Sequence, residues 1–553
     1  MIAIDKLYTH AKNISFKLKL PNFIKSLNEL EEQYLSYKNS HSGDSLKILF
    51  GPSFSNYEPC FVHDRILSLA LRLRGAKIIP IYCNQIQKTE CGVYGGRWMG
   101  TTFKKACASC ITTSWAMWPK KYFDPLKLSK FINTDEINQI NKTMDRITDQ
   151  NWFCYEENNI PFGRLAKDIL VNNYMVGDYK LIDNHYNLGK AHLENLLLLQ
   201  SAYSKILDKV KPDCVITNDT FYGMWNVLAE LCIKRKIPFY SHWLGDRKNA
   251  WCYAYNDAAM SLDFKKVWKN FSSVPLTVTE NTLISDWLEN RGQRCDGIID
   301  STKPGIHQNV EFHKENLKNN KPKALLSANV IWDCAALNKQ IIFKDMIDWI
   351  KNTIEWFKEH PQFELIIKPH PVEENKLVPI TVETIKRGLE ERCVVIPENV
   401  YLLDSNVNMS VYEFFPFVKV GLVHTTTVGM EMSALGMPVI TSARSPYRGF
   451  GFTIDPINAK EYYEALENVL SGNFKCDITE IKEKSYQFIY FYRFHYYTKI
   501  NIMDYEFKKQ PKVLIDNIEQ LLPGNNPPFD YIVDSILNGE PIISEDKWMP
   551  PTF

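Results

Sequence analysis

A lysine and a histidine alternate with two prolines in the stretch KPHP, residues 368–371. The apolar run before it predicts a buried strand that stops at the first proline. Because each proline disfavours helical backbone at the preceding residue, Lys368 and His370 are expected to lie extended at the carboxyl end of that strand. There a cation and an imidazole can neutralise a leaving phosphate, or His370 can give it a proton. The alternative is a structural histidine in a turn.

A second polar loop follows the apolar run VKVGLV, residues 418–423. Its residues are His424, Thr425, Thr426 and Thr427, with Gly429 before a predicted helix. Hydroxyls and backbone N–H groups at a helix N-terminus bind phosphate, and Glu431, one turn into the helix, can accept hydrogen bonds from a ribose diol. Ordinary capping by one threonine is the alternative. The loop SARSPYRG (442–449) adds Arg444 and Arg448, as phosphate ligands or as solvated charges.

Three of these stretches together carry a family resemblance. KPHP, the segment HTTTVGMEMSALGMPVI (424–440) and the segment SPYRGFGFTIDP (445–456) resemble bacterial capsule polysaccharide biosynthesis glycosyltransferases of the GT-B type, and among them the Kdo-transferase-like proteins. The resemblance covers about residues 320–480 and includes NVIWD at 329–333. The His-Pro dipeptide is shared with bacterial sialyltransferases, polysialyltransferases and teichoic-acid glycerophosphotransferases, so it indicates a nucleotide-activated donor without naming the sugar.

The resemblance implies an enzyme that moves a sugar from a nucleotide sugar to a glycan or lipid-linked acceptor in capsule or surface polysaccharide synthesis. CMP-Kdo is the leading donor, and UDP- and GDP-sugars stay open. By resemblance, His370 and Lys368 contact the donor phosphate, while Thr425–Thr427 and Glu431 hold the nucleotide. No metal cofactor is expected for catalysis. The alternatives are a glycerophosphotransferase, a nucleotide-sugar 2-epimerase, or a glycan-binding or assembly protein without turnover.

Sugar transfer also needs a base for the acceptor hydroxyl, which is expected from the N-terminal half of the chain. Candidates near predicted strand ends are Glu58, His63, Asp64, Asp219, His242 and Asp246. Asp64 and Asp219 are the predicted catalytic carboxylates. An ordinary acid at a helix start is the alternative for Asp64, and a turn residue is the alternative for Asp219.

Four cysteines lie close together in the N-terminal half. They are Cys83, Cys91, Cys107 and Cys110. Cys107 and Cys110 have the Cys-x-x-Cys spacing of a metal chelate, and four thiolates could hold a structural Zn²⁺ ion. The alternative is a set of reduced thiols packed in a loop.

Alternating apolar runs and helical patterns predict an α/β protein of the GT-B class, with two doubly wound Rossmann-like domains that face a cleft. The predicted segments are an N-terminal helical part (1–45), an acceptor domain with a helical insertion (46–275), a linker (276–322), a nucleotide-sugar domain (323–480), and C-terminal helices and a tail packed across both domains (481–553). Open α/β sheets bind ligands beyond the carboxyl ends of their strands, which is where the polar loops described above begin.

The composition excludes some classes of protein. The chain has 553 residues, 45% hydrophobic and 23% charged, with a formal net charge of +1. Broad nucleic-acid binding usually needs a strongly basic domain, so no nucleic-acid partner is expected. The N-terminus lacks the apolar core of a signal peptide, and no apolar run approaches the ~20 residues of a spanning helix. We expect a cytoplasmic protein with reduced cysteines that contacts the inner membrane face or an assembly complex only peripherally.

Overall fold

The computed structural model describes residues 20–37, 46–53, 55, 57–87, 89, 102–245, 247–293, 314–374, 378–407, 409–506 and 509–553. The chain divides into two compact units. Unit 1 combines 1–173, 179–261 and 495–553, and unit 2 combines 174–178 and 262–494.

Unit 1 contains a seven-stranded sheet in the order β12-β6-β5-β4-β1-β2-β3. Its strands are β1 (Lys47–Phe50), β2 (Lys77–Tyr82), β3 (Leu126–Lys127), β4 (Cys214–Asn218), β5 (Phe239–Leu244), β6 (Ala250–Tyr255) and β12 (Thr498–Lys499). The strands from β5 to β3 are parallel, and β6 and β12 are added antiparallel. Every residue of β4 is buried, as expected for a central strand covered on both faces.

The helices of unit 1 follow the strands of its sheet and fill the region between β2 and β4. They are α1 (Asn22–Tyr37), α2 (Glu58–Leu73), α3 (Phe103–Met117), α4 (Thr134–Met144), α5 (Phe162–Tyr174), α6 (His185–Val210), α7 (Gly223–Arg235) and α15 (Pro527–Asn538). A two-stranded antiparallel ribbon, β13 (Met503–Asp504) with β14 (Lys512–Val513), completes this unit.

Unit 2 contains a five-stranded, fully parallel sheet in the order β11-β10-β7-β8-β9. Its strands are β7 (Lys323–Ser327), β8 (Glu364–Lys368), β9 (Val400–Leu402), β10 (Val420–Val423) and β11 (Val439–Thr441). The register pairs Ser327 with both Lys368 and Val423, and pairs Val423 with Thr441. The last residues of four strands therefore stand in one row across the sheet, at the interstrand spacing of about 4.8 Å.

The described part of unit 2 contains seven α-helices. They are α8 (Lys265–Phe271), α9 (Val278–Gln293), α10 (Met346–Glu359), α11 (Ile385–Glu391), α12 (Val428–Ala434), α13 (Ala459–Leu470) and α14 (Ile478–Tyr490). Helix α9 lies inside the segment predicted as a linker. The aromatic stretch after α14 continues as a π-helix over Phe491–Tyr496.

Both units are built around parallel sheets with helices between the strands, so the predicted α/β class is confirmed. Within the described ranges, no helix combines the length and the apolar character needed to cross a membrane.

Candidate functional site

Lys368 is the last residue of β8 and lies in the row of strand ends of unit 2. Its side chain is buried, with 5% exposure. Among the described residues, no carboxylate lies within 4.0 Å of its ammonium group, and Glu413 acts on it only at longer range. Burial lowers the pKa of Lys368 to about 8, because the charged form loses its water. The predicted phosphate ligand is therefore a buried cation without an ion-pair partner in the described part of the chain.

His370 lies two residues further on, in the half-buried turn between the two prolines. The backbone N–H of Val372 donates a hydrogen bond to its Nδ1, at 3.1 Å. An imidazole nitrogen that accepts a hydrogen bond carries no proton, so the proton of the neutral ring is on Nε2. The turn thereby fixes the tautomer of His370 and leaves Nε2–H as its side-chain donor.

The threonines after β10 play different parts. Thr425 binds the loop after β7: its backbone N–H donates to Asn329 Oδ1 at 3.2 Å, and its hydroxyl hydrogen-bonds to the Ala335 carbonyl. Thr426 is 9% exposed and Thr427 is half-buried, and the Thr427 hydroxyl makes no cap hydrogen bond to α12. Of the three predicted nucleotide ligands, Thr425 holds the loops together, whereas the hydroxyls of Thr426 and Thr427 have no hydrogen-bond partner among the described residues.

A close packing contact holds the start of α12 in place. The Tyr447 hydroxyl donates to the Thr426 carbonyl at 2.6 Å and lies directly against Gly429. A Cβ atom on Gly429 would come within 2.1 Å of that hydroxyl oxygen. Glycine is thus required at this point for the loop from β11 to approach the threonine loop.

Glu431 is fully buried inside α12, and both of its oxygens have protein partners. Oε1 lies 3.5 Å from Arg291 Nε and 4.0 Å from a guanidinium nitrogen of Arg493. Oε2 accepts a hydrogen bond from the Tyr412 hydroxyl. The pKa of Tyr412 is raised well above its ordinary value, first by burial and then by the charge of Glu431. The predicted ribose ligand is therefore the centre of a buried ionic network.

The two arginines of the basic loop differ in exposure. Arg444 is exposed, and its guanidinium donates to the carbonyl of Asn338. Arg448 is half-buried and donates to the carbonyl of Thr441 at 3.2 Å and to the carbonyl of Pro456. Arg448 thus stabilises its own loop through these hydrogen bonds, while the side chain of Arg444 is exposed.

The two predicted base residues lie in unit 1. Asp64 is on α2 and is 1% exposed, with Oδ1 3.0 Å from Nδ1 of His63 and 2.8 Å from Nε2 of His242. Burial alone would raise the pKa of Asp64, but the nearby His242 and His63 bring it below its ordinary value. Asp219 follows β4, and its carboxylate accepts the backbone N–H of Met260 at 2.9 Å. Asp246 lies outside the described residues.

Glu58 is the third carboxylate candidate of unit 1 and begins α2. Its side chain is half-buried, and burial raises its pKa. Among the described residues, only its own backbone N–H bonds to its carboxylate. Glu58 thus differs from Asp64 and Asp219 in that no other described residue hydrogen-bonds to its carboxylate.

Three of the four predicted zinc ligands can be located. Cys83, Cys107 and Cys110 are free thiols near one another, and Cys91 lies outside the described residues. Burial, followed by the neighbouring Cys83 and Cys110, raises the pKa of Cys107 to about 12. Among the described residues, the group of three His, Cys, Asp or Glu ligand atoms within 4.8 Å of one another is formed by His63, Asp64 and His242 instead.

The sequence did not indicate which charged residues would lie near Glu431 and Lys368. Arg291 and Arg493 lie far from Glu431 along the chain, and Glu413 is in a short helix before β10. None of them belongs to a motif. The available signal was charge alone: Arg493 is the only lysine or arginine within the aromatic stretch 485–497.

Comparisons with known proteins give distant structural likenesses. No family model matches this chain, and no curated protein matches it. Among solved structures, the β-Kdo 2,7-transferase KpsC of Thermosulfurimonas dismutans aligns at 12% identity over 61% of this chain and 88% of that one, with a TM-score of 0.32. The UDP-GlcNAc 2-epimerase of Neisseria meningitidis aligns at 10% identity over 80% and 94%, with a TM-score of 0.23.

A third structure, the glycosyltransferase SnogD of Streptomyces nogalater, aligns at 10% identity over 80% of this chain and 95% of that one, with a TM-score of 0.22. At these scores, the alignments carry no argument about the function of this chain. The functional conclusion depends on the residues at the strand ends of unit 2.

Proposed function

We propose that this protein is a glycosyltransferase of the GT-B type that takes a sugar from a nucleotide-sugar donor. In the reaction, an acceptor hydroxyl oxygen bonds to the anomeric carbon while the bond from that carbon to the donor phosphate oxygen breaks. The nucleotide leaves with the bonding electrons, and the hydroxyl proton passes to a base. CMP-Kdo is the first donor to test, with UDP- and GDP-sugars next, and a glycan or glycolipid of a surface polysaccharide is the proposed acceptor.

The observation that carries the proposal is the buried ammonium group of Lys368. A buried charge without a partner is costly, and proteins normally pair it or neutralise it. Lys368 has no ion-pair partner among the described residues and lies at the carboxyl edge of a parallel sheet, where such folds bind their ligands. A phosphate of the donor would supply the missing negative charge and would be bound in the step that needs charge stabilisation.

His370 would act beside Lys368 as a hydrogen-bond donor. Because Nδ1 accepts the Val372 N–H, the neutral ring carries its proton on Nε2, and we propose that this N–H donates to a phosphate oxygen as negative charge develops on the leaving group. The hydroxyls of Thr426 and Thr427 add further donors on the other side of β7. We therefore propose transfer without a metal ion, in which a lysine, an imidazole and hydroxyls share the charge of the leaving group.

Glu58 is the residue of unit 1 that we propose as the base for the acceptor hydroxyl. Its side chain is half-buried, and its raised pKa makes it a better proton acceptor than an ordinary surface glutamate. Asp64 is enclosed by two imidazoles and Asp219 is engaged by the backbone, so neither is the first choice.

The test is turnover of a donor panel by the full chain and by His370→Ala. CMP-, UDP- and GDP-sugars are incubated with the protein, and nucleotide release and sugar-containing products are followed by mass spectrometry. We expect one donor class to turn over and His370→Ala to slow it by about 100-fold or more, the lower range for a lost group of this kind.

The matched control is His360→Ala. His360 precedes the amino end of the same strand and stacks on Trp356 at 4.0 Å, so it should leave the rate near wild type. A His370→Ala rate within a few-fold of wild type would return His370 to a structural role. Glycerol-phosphate transfer from a CDP donor, or epimerisation without transfer, would contradict sugar transfer. Normal folding without turnover of any donor would favour a glycan-binding protein.

A further inference from the structure

A buried cluster of polar side chains in unit 1 is not used by the proposed reaction. His63 and Asp64 lie on α2, and His242 lies on β5. All three are at most 1% exposed, and one ligand atom from each lies within 4.8 Å of the others. Tyr253 and Trp251 of β6 pack against them: the Trp251 ring stacks on the His63 ring at 4.1 Å.

The geometry at His242 differs from that of an ordinary hydrogen-bonded histidine. Its Nε2 lies 2.8 Å from Asp64 Oδ1, and its buried Nδ1 has no hydrogen-bond partner among the described residues. A ring nitrogen buried without a hydrogen bond is costly, as is any buried polar atom left unsatisfied. One carboxylate oxygen and two imidazole nitrogens that lie this close together, away from water, are arranged as they would be around a shared cation.

The charge of the cluster leads to the same conclusion. Asp64 is a buried carboxylate, and the groups within 4.0 Å of it are two imidazoles; no lysine or arginine of the described residues reaches it. With both imidazoles deprotonated, as metal binding requires, the cluster carries a net charge of −1 out of water. A divalent cation would reverse that charge and satisfy all three ligand atoms at once.

We propose that His63, Asp64 and His242 form a binding site for a divalent transition-metal ion, with Zn²⁺ the best match. Imidazole nitrogen and carboxylate oxygen are zinc ligands, and each binds at about 2.0–2.2 Å. Ligand atoms around a tetrahedral zinc are then roughly 3.4 Å apart. Asp64 Oδ1 lies 3.0 Å from Nδ1 of His63 and 2.8 Å from Nε2 of His242. Side-chain movements of about half an ångström would bring these atoms to the spacing of zinc ligands.

Tyr253 supplies the outer contact that metal-binding histidines usually have. Its hydroxyl lies 2.7 Å from Nε2 of His63, while Nδ1 of His63 faces Asp64. When Nδ1 binds the metal, Nε2–H donates to the Tyr253 oxygen and fixes the ring. Because the site is enclosed by aromatic rings and excluded from solvent, the ion would join α2 to β5 and β6 and would not act on a substrate.

The main test is metal analysis of the full chain. The protein is loaded with Zn²⁺, passed through gel filtration and analysed by mass spectrometry for bound metal. One zinc should remain in the double variant Cys107→Ser/Cys110→Ser, which removes the competing Cys-x-x-Cys pair. It should be lost when His242→Gln is added. The control is His192→Gln, another fully buried histidine of unit 1 with an unpaired Nε2, which should keep the zinc.

A second measurement covers the case in which His242→Gln does not fold. Co²⁺ is added to the Cys107→Ser/Cys110→Ser protein, and the absorption spectrum is recorded. We expect visible d–d bands without a thiolate charge-transfer band, together with a rise in the melting temperature that a chelator reverses. No retained metal in the cysteine variant, or zinc retained after the loss of His242 in a folded protein, overturns the proposal. In that case, Asp64 is neutralised by a protonated imidazole instead.

Discussion

Replacing Lys368 by methionine should stabilise the protein and reduce donor binding. Methionine keeps most of the length and the apolar stem of lysine but removes the charge, which in the free protein is buried without an ion-pair partner among the described residues. A site that keeps an unneutralised charge for its ligand is less stable than it could be. Lys368→Met therefore separates a binding role from a structural one, because the two roles predict opposite changes in stability.

The size of the effect follows from the pKa. Burial lowers the pKa of Lys368 from 10.5 to about 8, so the unfolded chain binds more protons than the folded one between these values and stability rises with pH there. At 1.36 kcal/mol per tenfold, the buried charge costs about 3 kcal/mol at pH 7 and about 1 kcal/mol at pH 10. Lys368→Met should therefore raise the free energy of unfolding by most of the 3 kcal/mol at pH 7 and by about 1 kcal/mol or less at pH 10.

The assay is thermal or urea unfolding of wild type and variant at pH 7 and pH 10, with and without nucleotide. The matched control is Lys323→Met, at the first residue of the neighbouring strand β7. Lys323 is also buried, but its ammonium lies 3.3 Å from Glu364 and donates to the carbonyl of Lys321 at 2.8 Å. Breaking that pair leaves a buried carboxylate, so the control should lose about 3–5 kcal/mol.

One outcome would refute the reasoning. If Lys368→Met is less stable than wild type at pH 7 without ligand, then Lys368 has a structural partner and is not held ready for an anion. If the variant is more stable but nucleotides protect it as well as they protect wild type, the buried charge is real but does not contact the donor.

Two further predictions concern the loop before α12 and the base. Gly429→Ala places a Cβ within 2.1 Å of the Tyr447 hydroxyl and should cost about 1–3 kcal/mol in unfolding experiments, part of which Tyr447→Phe restores; an unchanged melting temperature would contradict the packing argument. Glu58→Gln should slow transfer by about 100-fold. In wild type the rate should fall as pH drops through the raised pKa of Glu58, and this fall should be absent in Glu58→Gln. The control Glu29→Gln, at an exposed residue, should change neither the rate nor its pH dependence. An unchanged pH–rate profile in Glu58→Gln would exclude Glu58 as the base.

Much of the local structure could be predicted from short stretches of sequence. The run ELIIK is apolar and ends at a proline, so it forms a buried strand that stops at Lys368. The run VKVGLV followed by three threonines likewise predicts a strand, a polar loop and a helix, and the structure has β10 and α12 there. These features depend on neighbouring residues alone, through hydrophobic pattern and proline geometry.

The partners of individual side chains could not be predicted in this way. Glu431 was expected to face a ribose, yet in the fold it is enclosed by Arg291 and Arg493, which come from helices far away along the chain. Asp64 is a predicted base, and in the fold it is packed between two imidazoles, one of them on β5. Such contacts depend on which elements pack together, and hydrophobic periodicity does not specify that.

The sequence by itself determined the class of the fold and the strand ends at which polar residues collect, because apolar runs, prolines and glycines act locally. Only the tertiary structure decided the order of the strands, which puts β8 and β10 on either side of β7 and aligns their carboxyl ends. It also decided which charges are paired: Lys323 has a carboxylate within 4.0 Å and, among the described residues, Lys368 does not. That difference arises from long-range packing, since both lysines stand at the ends of similar apolar strands.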